Sequence, residues 1–429
     1  MKVISYKHNW LADIPNHWNA YPLWALFEDN KTKNENNIVS NVLSLSYGNI
    51  IRRDVESNMG LLPASFETYQ IVNDGDIVLR LTDLQNDKKS LRVGLVKEIG
   101  IITSAYTGLK LKNPELNSAF YYYFLHALDI MKYFYSLGGG VRQSIGFLEL
   151  KWLKLPVPPK DEQDQIVNYI KAKSKKIKHF IQKKQAFIEL LKEQRQTIIS
   201  RAVIKGINSD VTLKDSGIEW LGNIPEHWTL RKLKYCVSLN ANPIPSDTEG
   251  KQYLKIALEN IDNWTGKFVE TETPDFEGQG NFFKKGDVLF NKLRPYLAKA
   301  YVAKEEGFSV GELLVLTPDS KYFTSEYLFQ RFMTSDFIEV VNSSTYGAKM
   351  PRASWSFIGN LKLPIPPKEE QAKIIAQIKT ETAKIDQAIA KAEEEIELIK
   401  EYREAMIAEA VLGKQDVKVH TKIVLENAK

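Results

Sequence analysis

The chain has 429 residues, 43% of them hydrophobic, with 58 Lys and Arg against 53 Asp and Glu and a formal charge of +5. That length and apolar content build two or three domains with buried cores and exclude a disordered chain, while the small basic excess permits nucleic-acid binding without requiring it. A lone cysteine, Cys236, excludes an intrachain disulfide and fits a reducing, cytoplasmic setting; the opening residues 1–8 lack the apolar core of a signal peptide, no apolar run is long enough to cross a bilayer, and no membrane contact is expected.

In chain order, the first distinctive stretch is Trp10-Leu11-Ala12-Asp13-Ile14-Pro15-Asn16-His17-Trp18, which returns 210 positions later as Trp220-Leu221-Gly222-Asn223-Ile224-Pro225-Glu226-His227-Trp228. Arg52-Arg53 follows as a phosphate grip or a plain surface pair. Gly75-Asp76-Ile77-Val78-Leu79 reads as a turn into a buried strand and is matched by Gly286-Asp287-Val288-Leu289-Phe290 at a displacement of 211. Arg80 leaves that strand, and Lys88, Lys89 and Arg92 surround the next loop. Gly138-Gly139-Gly140 lets the backbone approach a partner closely, beside Arg142 and Gln143, whose side chains can read base edges.

Leu155-Pro156-Val157-Pro158-Pro159-Lys160 is a hinge that reappears as Leu363-Pro364-Ile365-Pro366-Pro367-Lys368, displaced by 208. Proline cannot continue a helix backward, so each hinge marks a helix start, with Asp161, Glu162, Glu369 and Glu370 suited to the first turns. Beyond the hinges Ile166, Ile177, Ile188 and Ile199 recur every 11 residues, as do Ile374, Ile385, Ile396 and Ile407, with Ile170, Ile181, Ile378 and Ile389 four residues after a stripe member. Eleven residues fill three turns, so each stripe stays on one face of a long, nearly straight helix; about 40 residues span roughly 60 Å. Lys171, Lys173, Lys175, Lys176, Lys178, Lys183 and Lys184 on the first arm face a second arm carrying Glu393, Glu394, Glu395, Glu397 and Glu401, which favours pairing between them.

The second copy offers two basic, aromatic loops. Asn291-Lys292-Leu293-Arg294-Pro295-Tyr296 is one; Tyr346-Gly347-Ala348-Lys349-Met350-Pro351-Arg352-Ala353-Ser354-Trp355 is the other, corresponding to 138–144 in the first copy, with Lys349 and Arg352 the leading contacts. Catalytic signals are missing. His17 and His227 sit in matching Pro-x-His-Trp frames and read as structural. There is no His-Glu-x-x-His, no cysteine cluster, no phosphate loop and no Asn-Pro-Pro-Tyr; Asn242-Pro243-Ile244-Pro245 and Glu249-Gly250-Lys251 match methyltransferase and nuclease motifs only superficially. No catalytic residue, metal or cofactor is expected on this chain.

The junction Val203-Ile204-Lys205-Gly206, then Lys214-Asp215-Ser216-Gly217-Ile218-Glu219-Trp220 through Trp228, resembles that between the halves of type I restriction-modification specificity subunits. The hinges followed by Glu162-Gln163 and Glu370-Gln371 are similar to the start of that family's helices, and the likeness covers nearly the whole chain; the first copy departs in having Tyr6-Lys7-His8-Asn9 before Trp10. The resemblance implies an α+β, pseudo-two-fold architecture: target recognition domains at 1–157 and 207–365, helical arms at 158–206 and 366–412 pairing as an antiparallel coiled coil, and a tail at 413–429. It also implies a non-catalytic chain that reads a split double-stranded DNA target and holds the half-sites apart. Two methyltransferase subunits and two restriction/translocase subunits are the implied partners, bringing S-adenosylmethionine, ATP and Mg. The competing expectations are a self-contained nuclease or methyltransferase, which the missing motifs argue against, and a coiled-coil scaffold that binds DNA without reading sequence, through salt-sensitive contacts alone.

Overall fold

The computed structural model describes residues 14–54, 65–82, 84, 91–137, 144–241, 243–245, 253–271 and 279–415. Their contacts form two compact units, residues 1–184 with 394–429 and residues 185–393, so that each unit contains one globular domain and a stretch of each arm.

In the first unit, Asn19–Pro22 pairs antiparallel with Lys154–Val157, closing the start of the domain against its exit into the hinge. Between them lies an antiparallel sheet in the order Phe27–Asn30, Thr107–Leu111, Ile77–Leu79, Val93–Leu95. The apolar run at 77–79 is continuous because both its faces are covered. Ile77 and Leu79 meet Phe120, Phe124 and Leu128 of the helix Ser118–Ile130, while Val78 packs with Leu43, Val72 and Ile102 on the other side. Asn117 caps that helix, its side chain accepting the Ala119 N–H at 3.0 Å.

The second unit repeats the plan. Thr229–Lys232 pairs antiparallel with Lys362–Ile365, and a sheet runs Val237–Asn240, Leu313–Pro318, Val288–Asn291, Ala300–Val302. Val288 and Phe290 face the helices Ser325–Phe332 and Ser335–Ser343, whereas Leu289 faces a smaller core with Ile256, Phe283 and Val315. A second four-stranded sheet, Pro243–Pro245, Gln279–Phe283, Gly307–Ser309, Leu254–Ile256, lies beyond that core and contains a parallel pair at its end.

The arms are single helices, Lys160–Lys205 and Lys368–Val411, 46 and 44 residues long. At 1.5 Å per residue the first spans about 69 Å. Both begin where the prolines permit: the Pro159 carbonyl accepts from the Gln163 N–H at 3.0 Å, and that of Pro367 from Gln371 at 2.9 Å. The isoleucine stripes are buried from Ile166 to Ile199 and from Ile374 to Ile407, with Ile181 and Ile389 half-buried. In the first unit Ile166, Ile170 and Ile177 share a core with Met406 and Ile407, and Lys184 pairs with Glu395. In the second, Arg195 donates to Asp386 at 2.8 Å, and Ile199 and Val203 share a core with Ile374 and Ile378. Numbers rise along one arm as they fall along the other, an antiparallel coiled coil. Of the charges marked in sequence, Lys184 meets Glu395, while Glu397 turns to Lys400 of its own helix at 2.7 Å.

Each arm is locked to its domain by the Glu-Gln that follows the hinge. Trp18 Nε1 donates to Glu162 Oε2 at 2.8 Å and His17 Nε2 lies 3.0 Å from the same oxygen; Trp228 Nε1 donates to Glu370 Oε2 at 3.1 Å with His227 Nε2 at 2.8 Å. Gln163 donates to the Pro158 carbonyl and accepts the Asn117 N–H, both at 2.9 Å; Gln371 donates to Pro366 at 3.0 Å and accepts the Thr324 N–H at 2.9 Å. The repeated histidines are therefore structural, as the matching frames imply. The arms end at Gly206 (φ 75°) and Gly413 (φ 68°). A Cβ on Gly413 would stand 2.6 Å from Pro15 and 3.0 Å from Trp18, and one on Gly206 3.4 Å from Trp228, so both helix ends seat against the tryptophan of a Pro-x-His-Trp frame.

Candidate nucleic-acid interface

In the second domain the two basic loops, more than fifty residues apart in sequence, form one structure. Tyr346 and Arg352 exchange backbone hydrogen bonds at 3.1 and 3.0 Å, closing a tight hairpin over 347–351. Gly347 lies at φ 92°, a left-handed conformation that a side chain would strain. The hairpin is then pinned to the strand exit: Leu293 bridges Arg352, the Pro351 carbonyl accepts the Arg294 N–H at 2.7 Å, and the Lys292 carbonyl accepts the Ala353 N–H at 2.9 Å. Lys349 and Met350 stand exposed at its tip, with Arg294, Tyr296 and Tyr346 exposed beside it. Lys292 is half-buried and lines a cleft of about 300 Å³ with Asn240, Gln279 and Asn281. Cations and carboxamides around a shaped loop suit phosphates and base edges.

Arg352 carries a partner that the sequence does not reveal. Its Nη2 donates to Glu312 Oε1 at 2.9 Å and its Nε lies 3.2 Å from both carboxylate oxygens. The hydrogen bond and the charge of Glu312 hold the guanidinium above its ordinary pKa. Glu312 is fixed in turn through its carbonyl, which accepts the Lys292 N–H at 3.0 Å.

The first domain has the same anchoring. The Leu81 carbonyl accepts the Ile145 N–H at 3.0 Å, the counterpart of the Lys292 to Ala353 bond at 2.9 Å. Lys88, Lys89, Arg142 and Gln143 fall outside the described residues. Arg80 is half-buried at the strand end. Arg92 is corrected from a loop cation to an internal brace. It is fully buried, its Nη1 donating to the carbonyls of Arg80 (3.0 Å) and Thr82 (2.9 Å), its Nε to Tyr135 Oη (3.2 Å), and its backbone N–H to Asp129 (2.6 Å). A charge so enclosed needs those acceptors, and they fix the base of the loop. Arg52 pairs with Glu98 on the surface, which lowers the Glu98 carboxyl through that hydrogen bond and raises the guanidinium.

Among the described residues no cluster of His, Cys, Asp and Glu could hold a metal ion, and no helix is long and apolar enough to cross a membrane. Cys236 is buried, which pushes its thiol up to about 11 and away from nucleophilic use.

The family model for the type I restriction modification DNA specificity domain matches residues 75–190 and 225–398, once in each copy. The specificity subunit of the type I restriction enzyme MjaVIII of Methanocaldococcus jannaschii is 25% identical over 365 residues, 81% of each chain. That of EcoDI of Escherichia coli is 22% identical over 170 residues, 39% of this chain and 37% of its own length. A chain from a structural study of complex assembly and conformational transition in the type I R-M system superposes with a TM-score of 0.64 at 14% identity, covering 93% of this chain and 98% of that one, which extends the shared fold to nearly the whole molecule.

Proposed function

Since the chain belongs to the type I restriction modification DNA specificity family, we propose that it is the recognition subunit of such an enzyme and reads a bipartite double-stranded DNA target, one half with each domain. The observation that carries this is the repeated anchor: the Leu81 to Ile145 and Lys292 to Ala353 bonds stand at matching points of the two copies, and the sequence leading into Ile145 and Ala353 carries Gly and Arg in both. Lys292, Arg294, Tyr346, Lys349 and Arg352 are the contacts in the second domain; Arg80, Lys88, Lys89, Arg142 and Gln143 are those in the first. The paired arms act as the spacer that sets how many unread base pairs separate the half-sites.

Two methyltransferase subunits dock on this chain for adenine methylation, and two restriction/translocase subunits join for ATP-dependent cleavage. S-adenosylmethionine, ATP and Mg belong to those partners, and the complex works in the cytoplasm. The test is single-molecule sequencing of methylated adenines in a host expressing this chain with its cognate methyltransferase, against a host with the methyltransferase alone. The expected result is a split motif methylated only when the chain is present; an unchanged methylome with an active methyltransferase would refute the proposal.

A further inference from the structure

We infer that Arg352 reads a guanine in the half-site of the second domain, and that Glu312 is the positioning residue that aims it. This rests on the proposed function and adds a base identity and a residue to it. A guanidinium has two edges able to bind in pairs. The Nε and Nη2 edge of Arg352 lies on the Glu312 carboxylate, at 2.9 to 3.2 Å. The Nη1 and Nη2 end is the one left to an incoming acceptor pair, and guanine O6 and N7 form the acceptor pair of the major groove that a planar fork matches.

The mounting is rigid. The Arg352 backbone is bonded to Tyr346 in both directions and bridges Leu293, so the residue sits at the base of the hairpin while the exposed Lys349 marks its tip. Glu312 is held by the bond from the Lys292 N–H to its carbonyl. Arg352 and Glu312 remain partly open, with side-chain exposures of 37% and 30%. A surface ion pair of this kind adds little stability by itself. Its effect here is geometric: it removes the swing of a long side chain and fixes the plane of the fork, which lowers the ordering cost of a bidentate contact. Arg294 and Lys349, free of such a carboxylate clamp in the described structure, suit the less directional task of meeting phosphates.

The experiment measures binding of the full chain, assembled with its cognate methyltransferase, to duplexes in which every base pair of the target is substituted in turn, at several salt concentrations. The wild-type complex is expected to discriminate one G·C pair of the second half-site by roughly 5- to 150-fold. Arg352→Lys keeps the charge and loses the fork, so discrimination collapses at that pair alone while the first half-site and the salt slope stay unchanged. Glu312→Ala lowers discrimination at the same pair, and Glu312→Gln, which retains an acceptor, restores most of it; melting curves confirm that each variant is folded. A full base profile in Arg352→Lys, or a uniform loss across all sequences with a reduced salt slope in Arg352→Ala, would make Arg352 a phosphate contact and overturn the inference. An unaltered profile in Glu312→Ala would remove the positioning role. A wild-type complex that discriminates no base in either half would overturn the proposed function itself, a distinct result.

Discussion

Replacing Glu370 with Ala removes the acceptor that ties the second arm to its domain, and the size of the effect follows from what is left behind. Trp228 is fully buried, and its indole N–H loses the Glu370 oxygen 3.1 Å away. An unsatisfied buried donor costs about 1–3 kcal/mol. The first-turn carboxylate also loses its interaction with the helix dipole, about 0.3–1 kcal/mol. Together these give about 1.3–4 kcal/mol, or a fall in melting temperature of roughly 3–16 °C for a unit of this size. Calorimetry on the full chain provides the measurement, and the repeat provides the control. Glu162→Ala removes the same bond in the first copy, where Trp18 is likewise buried and donates at 2.8 Å, so its fall should be of similar size. Equal melting of wild type and Glu370→Ala would refute the reasoning.

Other expectations are as direct. Tyr327, fully buried, donates to the Val203 carbonyl at 2.8 Å near the end of the first arm, so Tyr327→Phe should destabilise the chain by about 1–2 kcal/mol in denaturant titration, with DNA selectivity unchanged. Gly347→Val strains a left-handed turn by about 1–2 kcal/mol, so it should weaken binding to the second half-site and lower the melting temperature by roughly 2–8 °C. Burial pushes the Glu404 carboxyl up, but its hydrogen bonds and charge interactions with His126 and Arg403 outweigh that and leave it below the usual range. A carboxyl lowered by folding stabilises above its unfolded value and is lost as pH falls through the folded one, so acid unfolding of the wild type should include a proton uptake that Glu404→Gln lacks. Inserting one helical turn in both arms adds about 5.4 Å, roughly one or two base pairs, and sequencing should show a longer gap between unchanged half-sites.

Local chemistry was readable in the sequence, and distant partnership was not. The 11-residue isoleucine period needs only neighbours along one helix, and the Pro-Pro-Lys hinges fix the helix starts whatever packs on them, so both arms are legible from sequence alone. The continuous apolar runs at 77–79 and 288–290 signalled strands covered on both faces. By contrast, Glu162 looked like an ordinary first-turn acid, and nothing within a local window ties it to a tryptophan 144 residues earlier. Arg92 escapes a local reading because a basic residue near a loop is expected to face solvent, whereas two carbonyls and a tyrosine hydroxyl enclose this one. Glu312 had no signal at all, since its partner lies 40 positions away.

The seats of Gly206 and Gly413 mean that chain order and spatial order are separable. One arm passes by peptide bonds into the domain whose tryptophan receives its end, and the other reaches its tryptophan through packing against Pro15 and Trp18. A permuted gene, opened between residues 206 and 207 with the original ends joined by a linker, retains every described element and both seats, so it should yield the same melting behaviour and the same methylated motif.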